Sequence, residues 1–180
     1  MLFKSIRILA LLVFSLTACA PQPQADQKVS SPVDYRVFLG KSLTDKDVAE
    51  FIVGNNCSSA GQYQLCKDRG LAFWTSTDQI LNRVYLYSGN SDGFRRYTGK
   101  LPYGLSFYDP MWRVEEKIKK MEADDILQHT TSRDDGSPDT GSTPDHLHYW
   151  AVYERFNMVV IYDSPFADED AYIYAVLVNY

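Results

Sequence analysis

The residues best placed for chemistry in this 180-residue chain are a histidine pair in Asp145-His146-Leu147-His148. In an extended stretch, His146 and His148 would share one face about 7 Å apart. Two neutral imidazoles at that spacing can hold one metal ion, with Asp145 or His129 as a further ligand. The preceding loop supplies no Cys, and no third ligand is set by spacing. The competing reading puts His146 on a loop surface and His148 beside Tyr149 and Trp150; it is preferred, and no metal or cofactor is expected. Arg133 to Gly141 has the composition of a calcium loop but lacks the alternating acids and closing Glu of an EF-hand, so it reads as a solvated loop. Asp168-Glu169-Asp170 reads as a solvated turn, because adjacent like charges resist burial. Gly89-Asn90-Ser91-Asp92-Gly93 reads as a hairpin turn, since it lacks the Lys and the following helix of a phosphate loop. From residue 19 onward there is no His-Glu-x-x-His or Ser-x-x-Lys. No catalytic residue is assigned, and an enzyme is not expected.

The start of the chain carries an address. Lys4 and Arg7 precede a short apolar run, Ile8 to Leu16, and the small residues Thr17 and Ala18 lead into Cys19. The run falls well short of the roughly 20 residues that span a bilayer, and the pattern is that of an export signal over residues 1–18. Leu16-Thr17-Ala18-Cys19 resembles the lipobox of bacterial lipoproteins. That resemblance implies cleavage before Cys19, a diacylglycerol on its sulfur and an acyl chain of the palmitate class on the new amine. Ala20 stands where an Asp would imply inner-membrane retention, so the resemblance implies an outer-membrane lipoprotein facing the periplasm. Two acyl signals already anchor stably, each buried methylene contributing about 0.8 kcal/mol. Residues 19–33 are rich in Pro, Gln, Ser and Ala without an apolar period and read as the lipidated Cys and a flexible tether.

Composition sets bounds on the chain beyond the tether. The chain is 45% hydrophobic and 14% aromatic, enough to fill a core and to exclude a wholly disordered protein. Its formal charge of −5 argues against a nucleic-acid partner. Removing Lys4 and Arg7 leaves 16 basic residues against 23 acidic, a charge of −7. An acidic body is repelled by an anionic leaflet, so the lipid is expected to do the holding. With Cys19 lipidated, Cys57 and Cys66 remain for an oxidising compartment, and a structural disulfide between them is expected.

Residues 34–180 read as an α+β domain. Val48, Phe51 and Ile52 mark one face of a helix over Asp47 to Val53, with Thr44 or Asp45 as cap and Gly54 as stop. A strand follows the Arg69-Gly70 turn. Ile80 to Tyr87 forms another, with Val84 and Leu86 opposite Tyr85 and Tyr87. Asp109 and Pro110 read as the cap and first residue of an amphipathic helix carrying Met111, Val114, Ile118 and Met121. A polar loop is expected from Glu122 to Asp145, then strands over His148 to Arg155, Met158 to Asp163 and Ala171 to Val178. Asp45-x-x-Val48 matches the Asp109 to Val114 stretch, and Gly70-Leu71 matches Asn157-Met158. The chain therefore divides into two similar helix-plus-antiparallel-sheet units, about 34–98 and 99–180. The alternative is one α+β domain whose elements merely look alike.

This order resembles the tandem helix-plus-sheet repeats of the β-lactamase-inhibitor-protein and BamE group of exported proteins, with two copies where BamE has one. The resemblance favours a binding role. A sheet backed by helices needs one apolar face, yet several strands are apolar or aromatic on both. Tyr85, Tyr87, Tyr97, Tyr103 and Tyr149 are the candidate partner contacts, unless the two halves cover both faces. The expected function is an envelope lipoprotein that binds a toxin or hydrolase as an inhibitor or immunity factor. An outer-membrane assembly scaffold is the alternative, and a metal protein or hydrolase using His146 and His148 the third reading.

Overall fold

Two stretches carry a helical period behind a start signal, and both fold as nine-residue helices: α1, Lys46–Gly54, and α2, Met111–Lys119. The structure, a computed structural model, describes residues 31–89, 93–120, 128–132, 148–164 and 166–180. Pro32–Tyr180 forms one compact unit. The apolar stripes face inward, with Val48 buried on α1 and Met111, Val114 and Ile118 on α2. No helix among the described residues is long and apolar enough to cross a membrane.

The α1 cap falls at an expected residue and the α2 cap does not. Asp45 occupies the N-cap of α1, but its carboxylate accepts from the Ser42 backbone N–H at 3.1 Å instead of from the helix. Asp109 accepts from the Ser106 N–H at 2.7 Å and pairs with Lys117 Nζ at 2.6 Å. With that carboxylate committed, Pro110 becomes an extended N-cap and the helix starts one residue late. The Met111 and Trp112 N–H groups donate instead to the carbonyls of Ala171 and Glu169.

Among the described residues, eight strands form one antiparallel sheet: β1 Ser58–Ala60, β2 Tyr63–Cys66, β3 Leu71–Thr75, β4 Leu81–Tyr87, β5 Gln128–Ser132, β6 His148–Tyr153, β7 Met158–Tyr162 and β8 Ile173–Asn179. Their order is β1-β2-β3-β4-β8-β7-β6-β5. Each helix is thus followed by four strands, where the sequence suggested two or three. The additional strands are β1, β2 and β5. The Cys57–Cys66 disulfide forms as expected. Ser58 pairs with Leu65, so the two cysteines face each other one step beyond the β1–β2 ladder and close the hairpin.

Several local features occur once with each helix, before or after it. Ser42 and Ser106 each accept, through the side-chain oxygen, from the backbone N–H two residues on, three residues before an aspartate that bonds back. A 3-10 turn, Lys67–Arg69, ends at Gly70 in the left-handed region and opens β3; another, Glu154–Phe156, ends at left-handed Asn157 and opens β7. The β3–β4 register shifts between Trp74 and Thr75, and the β7–β8 register shifts between Ile161 and Tyr162, at the same step of each ladder. Ile80 before β4 bridges Ser42, while Tyr172 before β8 bridges Pro110.

Both helices pack on one side of the sheet. There Leu71, Phe73, Val84, Leu86, Tyr153, Val160, Tyr162 and Val176 join Val48, Val114 and Ile118 in the main core. A second apolar layer occupies the opposite side.

Candidate partner-binding face

Strand periodicity of two sends every other residue to the side away from the helices. On β4 these are Arg83, Tyr85 and Tyr87; on β8, Ala175 and Leu177; on β7, Val159 and Ile161; on β6, Trp150 and Val152. Leu65 and Tyr63 of β2 and Ala72 and Trp74 of β3 complete the layer. Its middle is dry: Tyr85, Ala72, Ile161 and Ala175 are all 0% exposed. Toward the flanks Tyr63, Trp74, Trp150, Val152 and Tyr174 are half-buried. Neither α1 nor α2 lies on this face.

The rings run in contact. Tyr63 lies 6.0 Å from Tyr85, which stacks on Tyr87 at 6.4 Å; Tyr87 in turn stacks on Phe94 at 4.0 Å and meets Tyr174 edge-on at 6.2 Å. Offset and edge-on pairs of this kind add about 0.5–1.5 kcal/mol each beyond area burial. Cations lie over the ring faces, Arg83 over Trp74 at 5.5 Å and Lys67 over Phe94 at 5.5 Å. Arg83 also donates from Nε to Asn179 Oδ1 at 2.7 Å. Burial is the main cause of the raised Tyr85 pKa, which keeps that phenol neutral at physiological pH. The indole N–H of Trp150 is buried without a hydrogen-bond partner among the described residues, an arrangement that a single acceptor would repair.

The five tyrosines named from sequence separate. Tyr85 and Tyr87 lie on this face, where alternation put them. Tyr97 and Tyr149 belong to the helix-side core. Tyr103, 42% exposed, stands outside both layers, packed on Phe156 at 4.7 Å. Alternation along β4 was legible; which layer receives Tyr97 and Tyr149 was not, because it depends on segments packed from elsewhere. The half-buried tryptophans Trp74 and Trp150 were missed as site residues, although each sits one step from an inward residue on its strand.

His148 stacks on Tyr174 at 4.0 Å, and its Nδ1 lies 3.0 Å from the Tyr162 carbonyl oxygen. The ring is therefore engaged by the sheet, on Tyr174 of β8, where the sequence reading put it beside Tyr149 and Trp150. Asp145 and His146 lie outside the described residues, as do the His129 side chain and the 133–141 loop. Among the described residues, no group of three His, Cys, Asp or Glu side chains is arranged to hold a metal. No protein-family model, curated protein or solved structure matches this chain.

Proposed function

We propose that this chain is a lipid-anchored envelope protein whose aromatic sheet face captures a basic protein partner, in the manner of an inhibitor or immunity factor. The observation that carries the reading is a sheet with two apolar faces and helices on one. Trp74, Trp150, Tyr63 and Tyr174 are half-buried around a centre that is already closed, and are the aromatic rings of this face that a partner would reach. The Trp150 indole N–H is buried and has no hydrogen-bond partner among the described residues, so it could be satisfied only if the rim rearranges on binding. The partner's positive charge is inferred from the −7 of the chain after cleavage, which would steer a cationic protein and raise its association rate at low salt.

The face has an internal symmetry that supports reading the chain as a tandem repeat. Aligning Ile80 with Tyr172 through their helix-entry bridges makes Tyr85 the counterpart of Leu177, and these two residues pair with each other. A pseudo-two-fold axis would pass between them. It would make Tyr63 on β2 and Trp150 on β6 equivalent aromatic posts on either side, because Cys66 pairs with Leu71 as Tyr153 pairs with Met158. The repeated Ser–Asp turns, left-handed strand openings and register shifts support the same reading.

The test is crosslinking in the intact envelope with wild type and a Trp74→Ala/Trp150→Ala variant. Capture of a specific protein should be lost in the variant while the thermal midpoint falls by only a few degrees. Undiminished capture by the variant would overturn the assignment of this face.

A further inference from the structure

Arg36, Arg95, Arg96 and Lys100 lie on the 33–37 and 93–100 segments, which pack together near the start of the folded unit, with the carboxylates Asp34 and Asp68 among them. Arg36 Nη2 pairs with Asp34 Oδ2 at 2.7 Å and Arg95 Nε with Asp68 Oδ1 at 3.3 Å. Packing brings these sequence-distant residues together. The Arg95 N–H donates to the Lys67 carbonyl at 2.9 Å, and the Tyr97 N–H to the Tyr87 carbonyl at 2.9 Å. The Tyr97 hydroxyl then donates to the carbonyl of Val33, where the chain leads back toward Cys19. Arg36 and, more weakly, Lys100 hold the Asp34 carboxyl below the usual carboxylate range, so Lys100 is within electrostatic reach of the same spot.

Apolar side chains are exposed in the same neighbourhood. Val37 is 51% and Tyr108 68% exposed, and the Arg96 guanidinium lies 4.6 Å from the Tyr108 ring centroid. Beside Tyr108 a cleft of about 330 Å³ is lined by Lys100, Leu101 and Ser106. Cationic heads interleaved with tyrosine, next to a cleft with polar and apolar walls, have the chemistry of the membrane–water interface, where aromatic rings sit at headgroup level and basic groups meet anionic lipid.

We propose that this patch docks on anionic phospholipid headgroups of the leaflet that holds the acylated Cys19, an inference that rests on the lipid-anchor reading above. The tether argues for this occupant. Only 14 residues run from Cys19 to Pro32, and a chain of that length reaches at most about 50 Å, so an acylated Cys19 would keep the patch close to the leaflet. Net charge does not oppose this at close range. Screening acts over about 8 Å at physiological salt, so the charges nearest the surface decide, not the −7 of the whole chain. The acidic turn Asp168-Glu169-Asp170 lies at the same end of the sheet, where the Trp112 N–H donates to the Glu169 carbonyl and the Ser88 N–H to the Tyr174 carbonyl, so its charges enter the balance at this surface.

The test uses the processed, acylated protein reconstituted on vesicles of phosphatidylcholine alone or mixed with phosphatidylglycerol. Amide hydrogen exchange is followed over residues 93–108, and flotation is measured in parallel. Extra protection of this segment on the anionic vesicles is expected. It should fall on the order of tenfold or more in Arg96→Glu/Lys100→Glu, since one basic group at such a surface is worth about fivefold. Arg96→Lys should retain it, and high salt should remove it. Equal exchange on both vesicles, or protection that survives the charge reversal, would overturn the proposal. Flotation on neutral vesicles reads the anchor separately: protein that floats only with phosphatidylglycerol would retain the patch and refute the anchor. Protein that floats with neither would refute both.

Discussion

At Gly70 a hydrogen atom is required for two reasons at once. The residue sits at φ +68°, and a Cβ there would come within 2.3 Å of both the Arg95 carbonyl oxygen and the Tyr97 nitrogen, which are backbone atoms and cannot swing aside. The left-handed conformation alone costs a non-glycine residue about 1–2 kcal/mol. Gly70→Ala should therefore destabilise by more than about 2 kcal/mol in denaturant unfolding, and it should loosen the 93–97 segment in hydrogen exchange. Asn157 holds the corresponding left-handed position before β7, at φ 48°. Asn tolerates that region through its short polar side chain, so Asn157→Gly should change stability by less than about 1 kcal/mol. If Gly70→Asn were tolerated as Asn157 is, conformation alone, and not the crossing segment, would make Gly70 necessary.

Among the elements, the β1–β2 hairpin depends most on its covalent clasp. β1 has three residues, Ser58-Ser59-Ala60, and pairs only with β2, so its ladder and apolar contribution are small. The disulfide closes a short loop between Cys57 and Cys66, and the chain-entropy model gives it about 2.7 kcal/mol. It also secures the end of α1, where the Cys57 N–H donates to the Ile52 carbonyl at 3.0 Å. Cys57→Ala/Cys66→Ala should lose about 2–3 kcal/mol, with exchange rising first in β1 and the last turn of α1. A thermal midpoint unchanged by reduction would mean that the hairpin holds without the bond. The sequence shows why this hairpin and β5 were hard to see: Ser58-Ser59-Ala60 and Gln128-His129-Thr130-Thr131-Ser132 have no apolar alternation. Edge strands with few large apolar residues form because a neighbour offers a ladder, and that neighbour is invisible to a local pattern.

The whole molecule buries phenols on both sides of its sheet, which ties its stability to alkaline pH. Burial pushes Tyr35, Tyr97 and Tyr153 up to about 12, and raises Tyr85 and Tyr162 as well. An unfolded tyrosine ionises near 10. A pKa raised by folding means that the neutral form is favoured inside, so this stabilisation is complete below pH 10. It is lost as pH rises through about 12. Tyrosinate absorbance and circular dichroism should therefore change together between about pH 10 and 12. Ionisation of most tyrosines near pH 10 with the fold intact would show that these rings reach solvent. Local pattern in the sequence determined the two amphipathic helices, the alternation of β4 and the cysteine pair, because each is set by a period of 2 or 3.6 residues or by chemistry along a few turns of chain. Tertiary structure alone decided that β4 pairs with β8, that four strands follow each helix, and that Tyr97 and Tyr149 enter the helix-side core. Strand partners there lie up to 96 residues apart, and whether an aromatic side chain is buried is decided by distant segments that no local pattern contains.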